Sequence, residues 1–378
     1  MRIITKLLAC CCAAAITAAM AAVPAMADPP SRRAPRPTDI VGVGAAIDQF
    51  LFDQFSHDYN ASVSASAPHL YSWDTTNPAT GVFGDPIVTK SACPAIKRPA
   101  GSPAGIKALA TAPLTSGSRC VDYARVSKTP AHPDLSYVAL AGEAVTYATQ
   151  STTDAPGSLT TAQLAAVYKC QDTNWSQVGG ANAPIKAFLP VPPSGTRTFF
   201  LSAIGVATPG TCVRDGNGLL QENEGVNPEL AGPDTIVPYS VGPYIAQAYY
   251  SAPCLNSGCT PNAHGVVCQP SGARNLFGCA KNGTMVLNKV NGLAPAAPWP
   301  LTPATVNPLV NKKFAHGYLR PLFDAVKSAP GTIPAGLAPV FGPAGWACTS
   351  ATAVTDLEHY GFEVLKAGTA TGDCGSAH

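Results

Sequence analysis

The sequence predicts an α/β fold of two lobes, and three observations carry that expectation. Helix-period and strand-period apolar patterns alternate along the chain, the mark of a substantially parallel sheet with helices on its faces. About 350 residues follow an N-terminal targeting segment, more than one hydrophobic core usually serves. Glycine and proline, 34 and 37 of the 378 residues, supply many turns.

The targeting segment comes first. Arg2 and Lys6 give a positive start, Leu7 to Val23 is an apolar run, and Ala25-Met26-Ala27 is a small-x-small site before Asp28. That order reads as a secretory signal peptide over residues 1–27. A membrane anchor fits less well, because the run is short, Ala-rich and followed by Pro24. Lipidation at Cys10 would leave too few apolar residues ahead of the cysteine for a signal core. After Ala27 no stretch approaches the about 20 apolar residues of a spanning helix. The mature chain is therefore expected to be secreted, extracellular or cell-wall associated.

Residues 28–38, with repeated prolines and Arg32-Arg33, read as a disordered lead-in. Ile40 to Gly44 is a short apolar strand, and Ala45 to Tyr59 carries Ile47, Phe50, Leu51 and Phe55 at helical spacing. Leu70 to Trp73 is a second strand. A helix then opens at Ser102, a natural N-cap, with Pro103 in its first turn. Val121 to Ser127 and Tyr137 to Tyr147 return as strands. Further on, Ser158 to Leu164 opens a helix with good capping chemistry, and Ile185 to Val191 is a strand. Ser194-Gly195-Thr196 leads into a helix holding Phe199, Phe200 and Leu201, and Asp356 to Leu365 is the last helical segment.

Thirteen cysteines less Cys10, Cys11 and Cys12 leave ten, an even number in an oxidising compartment. Spacing favours Cys93 with Cys120, Cys170 with Cys212, and Cys348 with Cys374. Each pair closes a loop of about 25 to 45 residues and stabilises by about 3 kcal/mol or more in the chain-entropy model. Cys254, Cys259, Cys268 and Cys279 cluster around His264. Two disulfides in a surface loop suit them better than a zinc site, since no C-x-x-C pair is present and export favours oxidation.

Charged residues make up only 12% of the chain and the net charge is +2. Neither nucleic acid nor an anionic membrane is indicated as a partner. The seven histidines show no metal-ligand spacing. No G-x-S-x-G elbow, P-loop or G-x-G-x-x-G occurs, so neither a serine hydrolase nor a nucleotide enzyme has a motif here, and no cofactor or metal is expected. Trp73-Asp74 and Glu222-Asn223-Glu224 could line a cleft, with surface or packing roles favoured.

Several segments recur in a specific order. They are Gly42-Val43-Gly44-Ala45, Gly101 to Lys107, Leu159 to Leu164, Thr173-Asn174-Trp175, Ser194-Gly195-Thr196 before Phe199-Phe200, Val290-Asn291-Gly292, and Tyr360-Gly361-Phe362. This series, over nearly all of 39–365, resembles the phosphate-binding proteins of ABC phosphate importers and their secreted actinobacterial relatives. The resemblance implies a two-lobed periplasmic-binding-protein-like fold of type II, each lobe a mainly parallel sheet flanked by helices. It places lobe one at 39–150 plus 300–378, and lobe two at 151–299 with a Cys-rich loop at 254–279. It also implies capture of phosphate or a similar small oxyanion in the interlobe cleft for uptake through an ABC transporter permease, without catalysis.

The ligand contacts implied are Ala46, Ile47, Ser102, Ser127, Ser194, Gly195, Thr196 and Arg197. Helix N-termini offer unpaired N–H donors and a positive dipole end, and Ser and Thr hydroxyls add neutral donors. At three points the chain departs from the family. Ser127 stands in place of an Asp that accepts a hydrogen bond from protonated phosphate, Pro190 in place of an Arg, and Ala46 and Ile47 in place of a threonine and an aromatic. Arg197, Arg125 or Arg98 are the candidates to supply the missing charge. Two other functions compete: a two-lobed protein with a lost or altered ligand acting in interactions, and a secreted phosphatase, an activity ascribed to some relatives.

Overall fold

One nine-stranded sheet runs through the computed structural model. The structure describes residues 28–29, 34–78, 82–115, 117–192, 194–218, 220–250, 259–262, 265–268 and 282–378. In chain order the elements that position the cleft begin with β1 (Ile40–Gly44), α1 (Gln49–Ser62), β2 (Leu70–Ser72), α2 (Ser102–Thr111), β3 (Tyr123–Val126) and β4 (Leu135–Gln150). Then come α3 (Thr161–Tyr168), β5 (Lys186–Ala187), α4 (Gly195–Ala203) and β6 (Thr235–Ser240). The last are β7 (Met285–Leu287), β8 (Leu319–Lys327), α5 (Ala351–His359) and β9 (Glu363–Val364).

The sheet order is β5-β6-β4-β8-β3-β1-β2, with β7 and β9 also paired to β4. At one end β2, β1 and β3 are parallel, and at the other β5 and β6 are parallel. Between them lie β4 and β8, antiparallel to each other and to their neighbours. The α/β class expected from the sequence is the class observed. The parallel strands sit at the outer ends, and the antiparallel pairs come from the two strands that run across the middle.

Apolar side chains separate into distinct cores along those two strands. Val138, Leu140 and Ala141 of β4 pack with Leu51, Phe52, Phe55, Phe341 and Phe362 on one face. Leu135, Tyr137 and Ala139 turn to the other face with Val43, Leu109 and Phe323, the alternation a strand imposes. Beyond Glu143 the same strand enters a third core, where Val145 and Tyr147 meet Leu164, Trp175, Phe200 and Tyr239. Val310, Phe314, Ala315 and Tyr318 belong to that third core. Leu322 and Val326 of β8 join the first core, and Phe323 and Ala325 the second.

Several local expectations shift for physical reasons. The first helix begins at Gln49 rather than Ala45, because the N–H of Ala45 is bonded to Arg125 O at 2.9 Å and its carbonyl accepts from Arg125 Nε at 3.0 Å. The cap of α2 is Gly101, at φ 83°, a conformation glycine reaches without a Cβ clash. Only Lys186–Ala187 of the 185–191 segment forms a strand. Phe188, Leu189 and Val191 donate to three different partners, Ile236, Arg214 and Leu220, and Pro190 has no N–H to give. The last helix stops at His359, since Gly361 takes φ 71° and Phe362 N bonds back to Leu357 O.

The expected disordered lead-in is anchored where it is described. Asp28 bonds to Arg98 through both oxygens at 2.8 and 2.7 Å, and Arg36 pairs with Asp39 at 2.7 Å. Disulfides join Cys93 to Cys120, Cys170 to Cys212, and Cys348 to Cys374, as spacing suggests. The signal segment, Cys10, Cys254, His264 and Cys279 lie outside the described residues. Cys259 and Cys268 are register partners in a short antiparallel hairpin. Among the described residues no helix is long and apolar enough to cross a membrane.

Candidate functional site

A cleft of about 800 Å³ opens where the cores separate. Ala46, Ile47, Ser102, Ser127, Ser194 and Gly195 all line it, so residues far apart in sequence converge there. The heads of α2 and α4 come close together. The backbone N–H of Ser127 donates to Ser102 Oγ at 3.2 Å, and a Cβ placed on Gly195 would stand 3.2 Å from Ser127 Oγ. Glycine at 195 leaves the Ser127 hydroxyl that room.

On the α4 side, Ser194 is the N-cap and its hydroxyl oxygen accepts from Arg197 N at 3.0 Å. The same hydroxyl donates to Glu222 Oε2, and the Thr196 N–H reaches that oxygen at 3.4 Å. A carboxylate at the positive end of a helix is favourable, on the order of 0.3–1 kcal/mol at an exposed site. Thr196 and Arg197 stand outside the lining. Thr196 is fully buried, with its hydroxyl 3.0 Å from Ser240 Oγ. Arg197 donates to Pro190 O at 2.9 Å, across the turn rather than into the cleft.

The floor of the cleft holds a charge that sequence reasoning missed. Arg320 on β8 pairs in register with Glu143 on β4, Nε to Oε2 at 2.6 Å, with both side chains almost wholly buried. Its Nη2 donates to Thr196 Oγ1 at 3.2 Å and to Ser240 Oγ at 3.4 Å, and its guanidinium lies 5.0 Å from the Phe199 ring. Nη1 has no hydrogen-bond partner among the described residues, although Arg320 lines the cleft. Burial pushes Glu143 up to about 7, even with Arg320 beside it. Removing two charges from water costs several kcal/mol per ion, so this pair is a weak stabiliser of the fold.

The candidate arginines named from sequence are otherwise engaged. Arg98 lines the cleft but is held by Asp28 and by Asp85, Nε to Oδ1 at 2.5 Å. Arg125 is fully buried; it donates to Ala45 O, Ser72 Oγ and Trp73 O, and lies 3.5 Å from Asp48. Burial pushes Asp48 up to about 7, with Arg125 pulling the other way. Glu222 and Asn223, for which the sequence favours surface or packing roles over the cleft, line it. A Glu-Asn-Glu run in a loop gives no periodicity from which to read that placement.

The shared motifs prove mostly architectural. Thr160 and Gln163 form a capping box for α3, and Asn291 Oδ1 accepts from Thr161 N at 2.9 Å, tying the Val290-Asn291-Gly292 turn to the same helix start. Trp175 is fully buried.

Comparisons with known proteins bear on this fold. Residues 75–249 match the family model described as a PBP superfamily domain. The chain is similar in structure to an ABC-type phosphate transport receptor from Vibrio cholerae, with a TM-score of 0.52 at 17% identity, over 86% of this chain and 99% of that one. A phosphate ABC transporter substrate-binding protein from Clostridium perfringens, solved with bound phosphate, gives 0.46 at 13%, over 87% and 100%. The first likeness shows the shared fold; the second is too distant to carry an argument. No curated protein matches the chain in sequence.

Proposed function

We propose that this protein captures a small oxyanion, phosphate or a close analogue, outside the cell and delivers it to an ABC-type importer. The carrying observation is that the heads of α2 and α4 meet across one cleft with the buried guanidinium of Arg320 at its floor. Backbone N–H groups, the Ser194 hydroxyl and one fixed cation form a donor set for an anion with several acceptor oxygens. In this reading the chain from about 39 to 142 and from 319 onward forms one lobe, and the part between forms the other. Closure of the two lobes would enclose one guest between the heads of α2 and α4, with Ser194 on it, and the guest then favours the closed state by its differential contacts.

The test is calorimetric titration of ligand-stripped mature protein with phosphate, arsenate and sulfate. Saturable binding of at least one at micromolar to millimolar levels is expected, and silence toward all three would remove the reading. A second reading, in which the lobes persist without a small ligand, draws on Ser127, Pro190 and the carboxylate of Glu222 at the head of α4.

A further inference from the structure

Glu222 stands where an oxyanion would sit. Its Oε2 accepts from the Ser194 hydroxyl and from the Thr196 N–H at 3.4 Å, while the Arg197 N–H is taken by Ser194 Oγ. A carboxylate and an incoming oxyanion are both acceptors only, so they compete for one set of donors. Building on the oxyanion reading, we propose that Glu222 is a tethered competitor, an internal carboxylate that fills the anion seat until a ligand displaces it.

Three further observations support displacement over coexistence. The first is charge. Arg320 is already paired with Glu143, and burial pushes Glu143 and Asp48 up to about 7 with the charge of Glu222 adding to the push on both. A guest added on top would gather like charges in a buried site, whereas a guest that replaces the carboxylate leaves the local charge unchanged. The second is the free donor. Arg320 is 3% exposed and lines the same cleft, and its Nη1 is buried without a hydrogen-bond partner among the described residues. Glu222 leaves that donor unused, so a guest that reaches both it and α4 makes a bond the competitor does not.

The third is freedom to move. Glu222 is half-buried, and the residue after it is pinned. Asn223 accepts from Ser240 N at 2.9 Å through its side chain, and from Tyr239 Oη and Gln247 Nε2 at 2.8 and 3.0 Å through its carbonyl. Vacating the seat therefore takes a rotation about side-chain bonds, with the loop in place.

The test titrates the full mature chain and its Glu222→Gln and Glu222→Ala variants with phosphate and sulfate, with thermal unfolding to confirm each fold. Removing the competitor is expected to tighten both anions by roughly ten-fold or more, the scale of one charge-assisted hydrogen bond. Wild-type protein that binds while both variants bind equally or more weakly overturns the proposal and leaves the oxyanion reading standing. Weaker phosphate with tighter sulfate also overturns it, because Glu222 would then be accepting a proton from the guest. No binding by any of the three proteins removes the reading and the proposal together.

Discussion

The two walls of the cleft start from similar local chemistry and end in different electrostatic states. Both place a serine at the opening of a helix. On the α2 wall Ser102 is turned to the backbone of Ser127, and the nearby Arg98 is clamped between Asp28 and Asp85. On the α4 wall Ser194 lines the cleft, and the nearby Arg320 keeps one donor unpaired among the described residues. A cation serves a site by what it has left to offer after its own ion pairs. In the proposed reading the α4 wall is therefore the one with donors left to offer a guest.

The largest expected effect separates the two arginines. Arg320→Met leaves Glu143 buried without a counter-charge, so the unfolding free energy in urea should fall by about 3–5 kcal/mol, and anion binding should vanish. Arg98→Met should cost less and leave binding measurable, because Asp28 and Asp85 are partly exposed and regain water. Reversed results would break the comparison.

The pH dependence differs in sign between the walls. Glu143 titrates near 7 in the folded chain against an ordinary 4.5, so the folded state holds its proton more tightly. Stability should fall as pH rises between those values and level off above about 7, by on the order of 3 kcal/mol for this group. Asp85 behaves oppositely: burial raises it, but Arg98 outweighs burial and holds it below its ordinary value. Its contribution is present above pH about 4 and is lost as acid protonates it. Urea midpoints across this range should show the neutral limb flattened in the Glu143→Gln, Arg320→Met double variant and the acid limb flattened in Asp85→Asn.

Smaller effects sharpen the contrast. Ser194→Ala removes an N-cap and should cost about 1 kcal/mol in thermal unfolding together with a clear loss of anion affinity. Ser102→Ala loses only the acceptor for Ser127 N, and should cost about 0.5–1 kcal/mol with affinity nearly kept. Smallest in stability is Gly195→Ala. Its Cβ would meet the tip of a single serine at 3.2 Å, so unfolding should shift little, while the methyl added at the head of α4 should weaken binding in titration.

Much of this fold was legible in sequence because its signals are local. The apolar run Ile40–Gly44, the capping box of Thr160 with Gln163 and the Ser194 cap each announce an element within a few residues. Three disulfides followed from spacing. The site was half legible. Ser102, Ser127 and Ser194 sit on helix heads and a strand end, which a motif series can place. Arg320 and Glu222 could not be placed that way. Arg320 owes its role to register with Glu143, 177 residues away, at the point where β4 and β8 leave one core for another. Glu222 owes its role to a loop folded over a helix 28 residues earlier. Such pairings are made by topology, and no local pattern records them.

The central claim is that a guest anion sits on the amides at the head of α4. Backbone amide resonances followed by NMR during a phosphate titration report on that directly. Gly195 and Thr196 should shift saturably, with Ser127 following across the cleft and residues of the disulfide-bonded periphery unmoved. Saturation that leaves Gly195 and Thr196 where they were, or shifts confined to another surface, would contradict the account.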